Sequence, residues 1–291
     1  MSAWKNRIVE HIRDIPLPES EMKSAIFGNS LPIISFGDFI TSRYLTLGLN
    51  PSSIEYKDER GLAQLSKFGI DSWTALSDKS LLSDDKIYEV YIASSGYFNQ
   101  GMNPYSWFDY PQITLSALGA SYGSGMEENP AATSSYTIKA SHIDLTPWTT
   151  RIKWSNTSPE IREKLIKHNR EFLLEQLMDE SIEMILILGR QTLDEFKKSM
   201  RNMGYSLRES AGTPFRIAKE AQEVEYRKIV FGSRMAFYVS QSDSAWVPLS
   251  RNEERRTSRR NSAKRNQSRE ERTNELRQIF QDFAEYIEHN R

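Results

Sequence analysis

A short strand that stops at an Asn-Pro turn is the feature that most constrains this chain. Residues 44–48 alternate and are rich in Leu and Tyr, a pattern typical of a short buried strand. Gly48 allows backbone or a ligand to come close because it has no Cβ, and Pro51 prevents the strand from continuing. The amide of Asn50, with one acceptor and two donors, is therefore held at the carboxyl end of a strand, where open α/β sheets bind their ligands. The alternative is an ordinary Asn-Pro turn.

A second strand end carries a carboxylate. Residues 139–148 read Lys-Ala-Ser-His-Ile-Asp-Leu-Thr-Pro-Trp, which predicts a strand that runs into a loop. His142 and Asp144 are two positions apart, so on a strand their side chains share a face. A buried Asp costs free energy unless it has a partner or a function. Asp144 is therefore a candidate catalytic residue, although capping of the following turn would also account for it.

The remaining patterns predict an α/β fold. Residues 184–189 form a continuous apolar run, typical of a strand buried on both faces. Residues 227–232 and 235–239 are typical of two strands joined by a tight Gly-Ser turn. Strands followed by helices predict a mostly parallel sheet covered on both faces. Amphipathic periodicity predicts helices over residues 4–15, 106–119, 159–178 and 192–203.

Two segments stand apart from this domain, which is predicted to span residues 1–250. Residues 53–95 are polar and charged, and are predicted to be an insertion of loops and short helices. Residues 251–291 are predicted to be an Arg-rich helical extension that ends in an amphipathic helix able to dock on the domain. The basic stretch is a candidate phosphate-binding arm, and a solvated helix with Glu–Arg pairs accounts for it equally well.

An aromatic-rich loop precedes the 106–119 helix. Residues 94–108 place five large aromatic side chains among Asn, Gly and Pro, which fits neither a strand nor a helix. Tyr97 and Phe98 are candidates to stack against a flat ligand such as a nucleobase. The alternative is that these rings fill the core beneath the loop.

Composition excludes several classes of protein. The 291 residues contain no Cys, which excludes disulfides, Cys-ligated zinc and a thiol nucleophile. With only four scattered His residues, we expect no metal or cofactor. No apolar run is long enough to span a bilayer, so we expect a cytoplasmic protein without a membrane partner. A net charge of −1 gives no overall sign of nucleic-acid binding, so any such sign must come from the distribution of charge.

Three strand ends, taken in order, resemble the uracil-DNA glycosylase superfamily over roughly residues 33–250. Residues 48–52 resemble the Gly-x-Asn-Pro motif of its mismatch-specific and single-strand-selective branches. Residues 144–147 resemble the strand end at which the superfamily carries an Asn that reads the flipped base. Residues 240–245 resemble the Ser-rich loop that holds the DNA backbone.

Two positions depart from that pattern. The base-reading Asn is replaced by Asp144, and the His or Met that opens the third motif is replaced by Ser240, so the superfamily's His-assisted stabilisation of the leaving group is in doubt. An Asn matches the O4 and N3–H of uracil, whereas an ionised Asp can only accept. Asp144 therefore favours cytosine, whose N4 amino group donates. A protonated Asp144 could also donate to N3 and help the base to leave as a neutral molecule.

The resemblance implies a three-layer α/β/α domain with a central, mostly parallel four-stranded sheet. It also implies a monofunctional DNA glycosylase that flips a base, excises it and leaves an abasic site. Because excision of plain cytosine would destroy the cell's own genome, we expect a modified cytosine. Some anti-phage defence proteins that resemble this superfamily excise glucosylated hydroxymethylcytosine from phage DNA, and this chain resembles that kind of protein. We expect a monomer whose partner is DNA.

The implied roles fall into three groups. Asn50 and Asp144 would be catalytic. The base would be bound by Gly48, Pro51, Tyr97, Phe98 and His142, although His142 is also compatible with a core position or a general base. DNA would be held by Ser52, Ser240, Ser242, Ser244, Trp246, Arg255, Arg256, Arg259 and Arg260.

Three other functions stay open at this point. The chain would be a repair glycosylase for uracil or another deaminated base if Asp144 were only structural. It would be a DNA-binding module if the fold were retained without activity. A hydrolase of free nucleosides is the third option, but it leaves the Arg-rich tail unexplained.

Overall fold

A central sheet organises the part of the chain that the computed structural model describes. The described residues are 2–15, 25–27, 30–53, 82–99, 104–123, 126, 136–151, 153–210, 215–216, 223–232, 234–240 and 269–291. Seven strands form this sheet in the order β2-β3-β1-β4-β9-β8-β5, and β6 and β7 form a separate pair. The strands are β1 (Tyr44–Gly48), β2 (Ala120–Ser121), β3 (Ile138–Asp144), β4 (Met184–Leu188), β5 (Leu207–Ser210), β6 (Phe215–Arg216), β7 (Glu223–Val224), β8 (Tyr226–Phe231) and β9 (Arg234–Val239).

The sheet is mostly parallel, as the sequence predicts. Strands β2, β3, β1, β4 and β9 pair in parallel, and every residue of β1 and β4 is buried, so both faces of the sheet centre are covered. The sheet is wider than the predicted four strands. The difference arises at its edges, where β8 folds back on β9 and β5 pairs with β8, both antiparallel, and where β2 adds a short strand beside β3.

Seven α-helices lie in the described ranges, and the predicted helical segments are among them. They are α1 (Ser2–Asp14), α2 (Asp84–Ser95), α3 (Asp109–Ala117), α4 (Pro159–Lys167), α5 (Arg170–Met178), α6 (Arg190–Asn202) and α7 (Arg269–Asn290). The predicted helix over 159–178 is interrupted at His168 and Asn169. Here the backbone N–H of Asn169 donates to Ile166 O, three residues back, rather than to the carbonyl four residues back as in an α-helix. None of the helices described is both long and apolar enough to cross a membrane.

The C-terminal helix packs on the body of the protein. Phe283 and Ile287 are fully buried, and the Tyr226 hydroxyl of β8 donates to Ile279 O over 2.9 Å. The Thr114 hydroxyl of α3 donates to another carbonyl of α7, at Phe280, over 2.6 Å. This part of the predicted 251–291 extension therefore shares the main hydrophobic core.

An extended segment continues the sheet beside β3 without forming a strand. Phe36 bridges His142 and Ile26 bridges Thr150, both antiparallel. Between these bridges, Ile33 N donates to the carbonyl of Pro147, which has no N–H to return the bond. The segment thus pairs with the sheet through isolated bridges, and it borders the loop that follows Asp144.

Candidate functional site

The carboxyl ends of β1 and β3 meet at the centre of the sheet. Gly48 lies in register with Asp144, and Thr46 lies in register with His142. The pairing continues beyond the strands, since Leu145 N donates to Gly48 O over 3.1 Å. The two strand ends singled out in the sequence are therefore direct neighbours, and Thr46, Gly48, His142 and Asp144 share one face.

Gly48 is required by its neighbours. A Cβ at this position would lie 2.5 Å from Asp144 Oδ1 and 2.7 Å from His142 Nε2, distances that real Cβ atoms essentially never show. The space beside β1 is filled by the carboxylate and the imidazole of the adjacent strand. The absence of a side chain at Gly48 thus permits Asp144 to lie against the backbone of β1.

A chain of four buried polar side chains runs across this face. The Tyr122 hydroxyl lies 2.5 Å from Thr46 Oγ1, and Thr46 Oγ1 lies 2.8 Å from His142 Nδ1. On the other side of the imidazole, Nε2 lies 3.3 Å from Asp144 Oδ1. Asp144 is only 6% exposed and His142 only 3%. We call Tyr122, Thr46, His142 and Asp144 the polar chain.

The number of available protons fixes which group donates and which accepts at each hydrogen bond of the polar chain. Burial raises the pKa of Tyr122, the nearby negative charge of Asp144 raises it further, and these effects outweigh the opposing hydrogen bond with Thr46, so the phenol keeps its proton. If Tyr122 donates to Thr46 and Thr46 donates to Nδ1, the neutral imidazole carries its proton on Nε2 and donates it to Asp144. In the reverse order, the Tyr122 proton has no acceptor among the residues described. The forward order satisfies every donor and leaves Asp144 as an accepting carboxylate.

Aromatic rings enclose the imidazole of His142. The rings of Phe108 and Trp107 each lie 5.2 Å from it in edge-on contact, and Phe36 lies 5.9 Å away. Trp107 is only partly buried, unlike Phe36 and Phe108. Of these three described rings, Trp107 is therefore the one that retains exposed surface for a ligand.

The structure places Tyr97 and Phe98 in the core. Both are at most 1% exposed; Tyr97 contacts the rings of Phe36 and Phe108, and Phe98 stacks on Tyr122 at 4.5 Å. This arrangement favours the alternative in which they fill the core beneath the loop. Stacking of a base on either ring would require these contacts to open, so Trp107 replaces them here as the candidate stacking residue.

Asn50 lies just beyond Gly48, with its amide nitrogen already bound. Nδ2 donates to Pro51 O over 2.9 Å and to Thr150 Oγ1 over 3.1 Å. Within the described part of the chain, Oδ1 has no hydrogen bond, so the orientation of the amide leaves its acceptor available. Pro51 is buried, whereas Asn50 and Ser52 are partly exposed at the same turn.

Asn169 supports the site from behind. Its Nδ2 donates to the carbonyls of Asp144 and Leu145 over 3.3 and 3.2 Å, and its Oδ1 lies 3.1 Å from His11 Nε2. The His11 ring in turn stacks on Phe172 at 4.0 Å. The buried Asn169 between α4 and α5 thus anchors the backbone that carries Asp144.

The third motif is described only at its first residue. Ser240 follows β9, and its hydroxyl accepts from Glu225 N over 3.0 Å. Ser240 N also donates to Glu225 O, so this serine extends the pairing of β8 with β9 at the open end of the hairpin. The predicted DNA contacts at Ser242, Ser244, Trp246, Arg255, Arg256, Arg259 and Arg260 lie outside the described residues, and they stay predictions.

Four residues of the site were not found from the sequence. Thr46 carried a usable signal, since it lies two positions before Gly48 and must share its face. Trp107 belongs to the aromatic loop, but no sequence pattern distinguishes it from its neighbours. Tyr122 lies beyond the predicted 106–119 helix, and Asn169 lies inside a segment predicted to be helix, so only the folded chain brings them to Asp144.

The comparisons with known proteins return no relative for this chain: no family model, no curated protein and no solved structure matches it.

Proposed function

We propose that this protein is a DNA glycosylase that flips a modified cytosine out of the helix and hydrolyses its N-glycosidic bond. The observation that carries the proposal is the buried Asp144 carboxylate, which lies against Gly48 at the carboxyl end of the central strands, with its Oδ1 3.3 Å from His142 Nε2. The parallel pairing of β1 with β3 supports it, because the carboxyl ends of parallel strands lie at the same end of a sheet, where open α/β folds bind their ligands.

The carboxylate selects bases by their hydrogen-bonding groups. With Oδ1 accepting from His142, Asp144 Oδ2 has no hydrogen bond among the residues described and accepts from a bound base. The N4 amino group of cytosine supplies that proton, whereas O4 of uracil presents lone pairs to the negative charge. The substrate is therefore a base with an exocyclic amine next to its ring nitrogen.

Asn50 and Trp107 complete the proposed chemistry. Asn50 Oδ1 accepts a hydrogen bond from the water that adds to C1′ as the bond from C1′ to the base breaks, and the sugar passes through an oxocarbenium-like state. The base leaves with the electron pair of that bond, and solvent carries the proton that the water loses to the departing base. Trp107 stacks against the flipped ring. A substituent at C5 of the cytosine distinguishes the target from the cell's own DNA, and excision of such a base serves defence against phage.

The test measures base release in single-turnover reactions. Matched duplexes carry cytosine, 5-hydroxymethylcytosine, glucosylated hydroxymethylcytosine or uracil at one site, and alkaline cleavage reports abasic sites. Asp144→Asn is compared with Asp194→Asn, a matched change at an exposed position of α6. We expect wild type and Asp194→Asn to release a modified cytosine alone. In Asp144→Asn, His142 still donates to Oδ1, which turns the new NH₂ group toward O4 of uracil, so activity on cytosine is lost or shifts to uracil.

Each other outcome contradicts the proposal in a defined way. Release of uracil by wild type indicates a repair glycosylase in which Asp144 does not select the base. DNA binding without release from any duplex indicates a binding module.

A further inference from the structure

We infer that Tyr122 and Thr46 are positioning residues that hold His142 in its Nε2–H form and thereby fix Asp144 as an accepting carboxylate. The inference rests on the proposed function and deepens it, because it assigns base selectivity to side chains that lie behind Asp144. Neither Tyr122 nor Thr46 is proposed to touch the substrate. Their effect reaches the base only through the imidazole.

The contacts of His142 leave it little choice of orientation. Its ring is held between Phe36, Phe108 and Trp107, and Nδ1 is 2.8 Å from Thr46 Oγ1. A flip of the ring would place a C–H group against Thr46 and against the carboxylate, which would break both contacts. The position of the ring is therefore fixed, and only the position of its proton remains to be set.

Thr46 sets the proton because its hydroxyl has a second partner. The Tyr122 hydroxyl, 2.5 Å away, donates to Thr46 Oγ1, which then directs its own proton to Nδ1. Nδ1 is thereby an acceptor, and the ring proton lies on Nε2, facing Asp144. Without this bias, an Nδ1–H imidazole would present a lone pair to the carboxylate, so Asp144 would lose the hydrogen bond that directs its Oδ2 toward the base.

The first measurement is the protonation of the His142 ring by ¹⁵N NMR. The chain has four His residues, and the signals of His142 are assigned by their loss in His142→Gln. In wild type we expect the proton on Nε2. In Thr46→Val, which keeps the shape of the side chain and removes its hydroxyl, we expect a mixture of the two forms. Thr46→Ser restores the hydroxyl and should restore the wild-type signal.

The second measurement is base release by the same variants. We expect Thr46→Val to lower the single-turnover rate on modified cytosine by about 10- to 100-fold, by analogy with the loss seen when a partner that orients a metal-bound histidine is removed. Its preference for cytosine over uracil should fall at the same time, while DNA affinity is retained. Tyr122→Phe keeps the stack on Phe98 and should show a smaller change in the same direction.

Thr149→Val is the matched control. Thr149 is fully buried, and its hydroxyl has no hydrogen-bond partner among the residues described, so this variant should leave the tautomer and the selectivity unchanged. A proton on Nδ1 in wild type would overturn the inference, as would a Thr46→Val protein whose ring signals and selectivity match those of wild type. If Thr46→Val does not fold, the NMR signals and base release of Tyr122→Phe test the inference in its place. If wild type releases no base, the proposed function fails, and the NMR signals still decide whether the polar chain fixes the tautomer.

Discussion

Gly48 and Asp144 are register partners on adjacent parallel strands, and a Cβ on the first would overlap Oδ1 of the second at 2.5 Å. Asp144 and its neighbour His142 are both buried members of the polar chain. Neither side chain can move aside from a new Cβ without breaking its contacts in that chain. The same relationship makes Gly48 a sensitive probe of the site.

Gly48→Ala should therefore destabilise the protein and disturb Asp144. We expect a loss of about 1–3 kcal/mol in the free energy of unfolding, the usual cost of forcing an extra carbon into a packed core, measured by urea denaturation. Base release should fall further than the loss of folded protein explains. Gly96→Ala is the control, since the nearest atom to its new Cβ is the Asn99 side-chain amide at 3.3 Å. Equal stability of the two variants would show that the carboxylate has room to move.

Asn50→Ala should separate catalysis from DNA binding. The variant removes the amide that Pro51 O and Thr150 Oγ1 hold in place, so we expect base release to fall by about 10²-fold while DNA affinity changes little. Thr150→Val, which removes only one anchor of the amide, should give a smaller loss. Filter binding and single-turnover rates on the same duplex measure the two quantities. Parallel loss of binding and rate would assign Asn50 to DNA contact.

Asn169→Leu should reveal the support behind the site. It removes two hydrogen bonds to the carbonyls of Asp144 and Leu145, so we expect a loss of about 2–4 kcal/mol in the free energy of unfolding. Thermal and urea denaturation measure it. Asn202→Leu makes the same change at an exposed position at the end of α6 and should stay within about 0.5 kcal/mol of wild type. If the loss in the free energy of unfolding is no larger than that of the control, water satisfies the carbonyls of Asp144 and Leu145 in place of Asn169.

Asp179 should contribute stability that is lost in acid. Partial burial alone would raise its pKa, but hydrogen bonds from the Ser181 hydroxyl and amide and from the Trp4 indole outweigh burial and hold the pKa below the ordinary value of 3.8. A lowered pKa means that the unfolded chain binds more protons, so the contribution is full above the ordinary pKa and disappears as the pH falls through the folded value.

Asp179→Asn should accordingly destabilise the protein by about 1–2 kcal/mol near neutral pH, and the difference from wild type should shrink below the ordinary pKa of aspartate. Urea denaturation at several pH values measures it, with Asp194→Asn as the exposed control. A difference that stays constant across this range would show that the charge of Asp179 contributes nothing.

The sequence predicted the elements of the sheet centre better than its edges. The apolar runs at β1 and β4 and the hairpin of β8 and β9 are confirmed, because burial on both faces leaves a strong local pattern. The short β2 and the exposed β5 leave no such pattern. Pairing also depends on residues far apart in the chain, so the width of the sheet was not predictable from its strands.

The candidate site was likewise predictable from the sequence only in part. The shared face of His142 and Asp144 follows from their spacing, and it is confirmed by their contact of 3.3 Å. The alignment of Gly48 with Asp144 depends on register, which the sequence does not display. Tyr97 and Phe98 had the right composition for a stacking surface, but the folded chain surrounds them with other rings. The role of an aromatic residue therefore depends on how much of its ring stays exposed after folding, as it does at Trp107.

The central position of β1 also has a consequence for synthesis. The partners of Tyr44 on the two flanking strands are Ala140 and Met184, so β1 emerges from the ribosome long before either. At about 5–20 residues per second, an apolar strand with two unpaired edges waits roughly ten seconds for its second neighbour. Such non-local pairing makes folding slow. Strand β1, which carries Gly48 and leads to Asn50, is thus a segment that a chaperone would protect during synthesis.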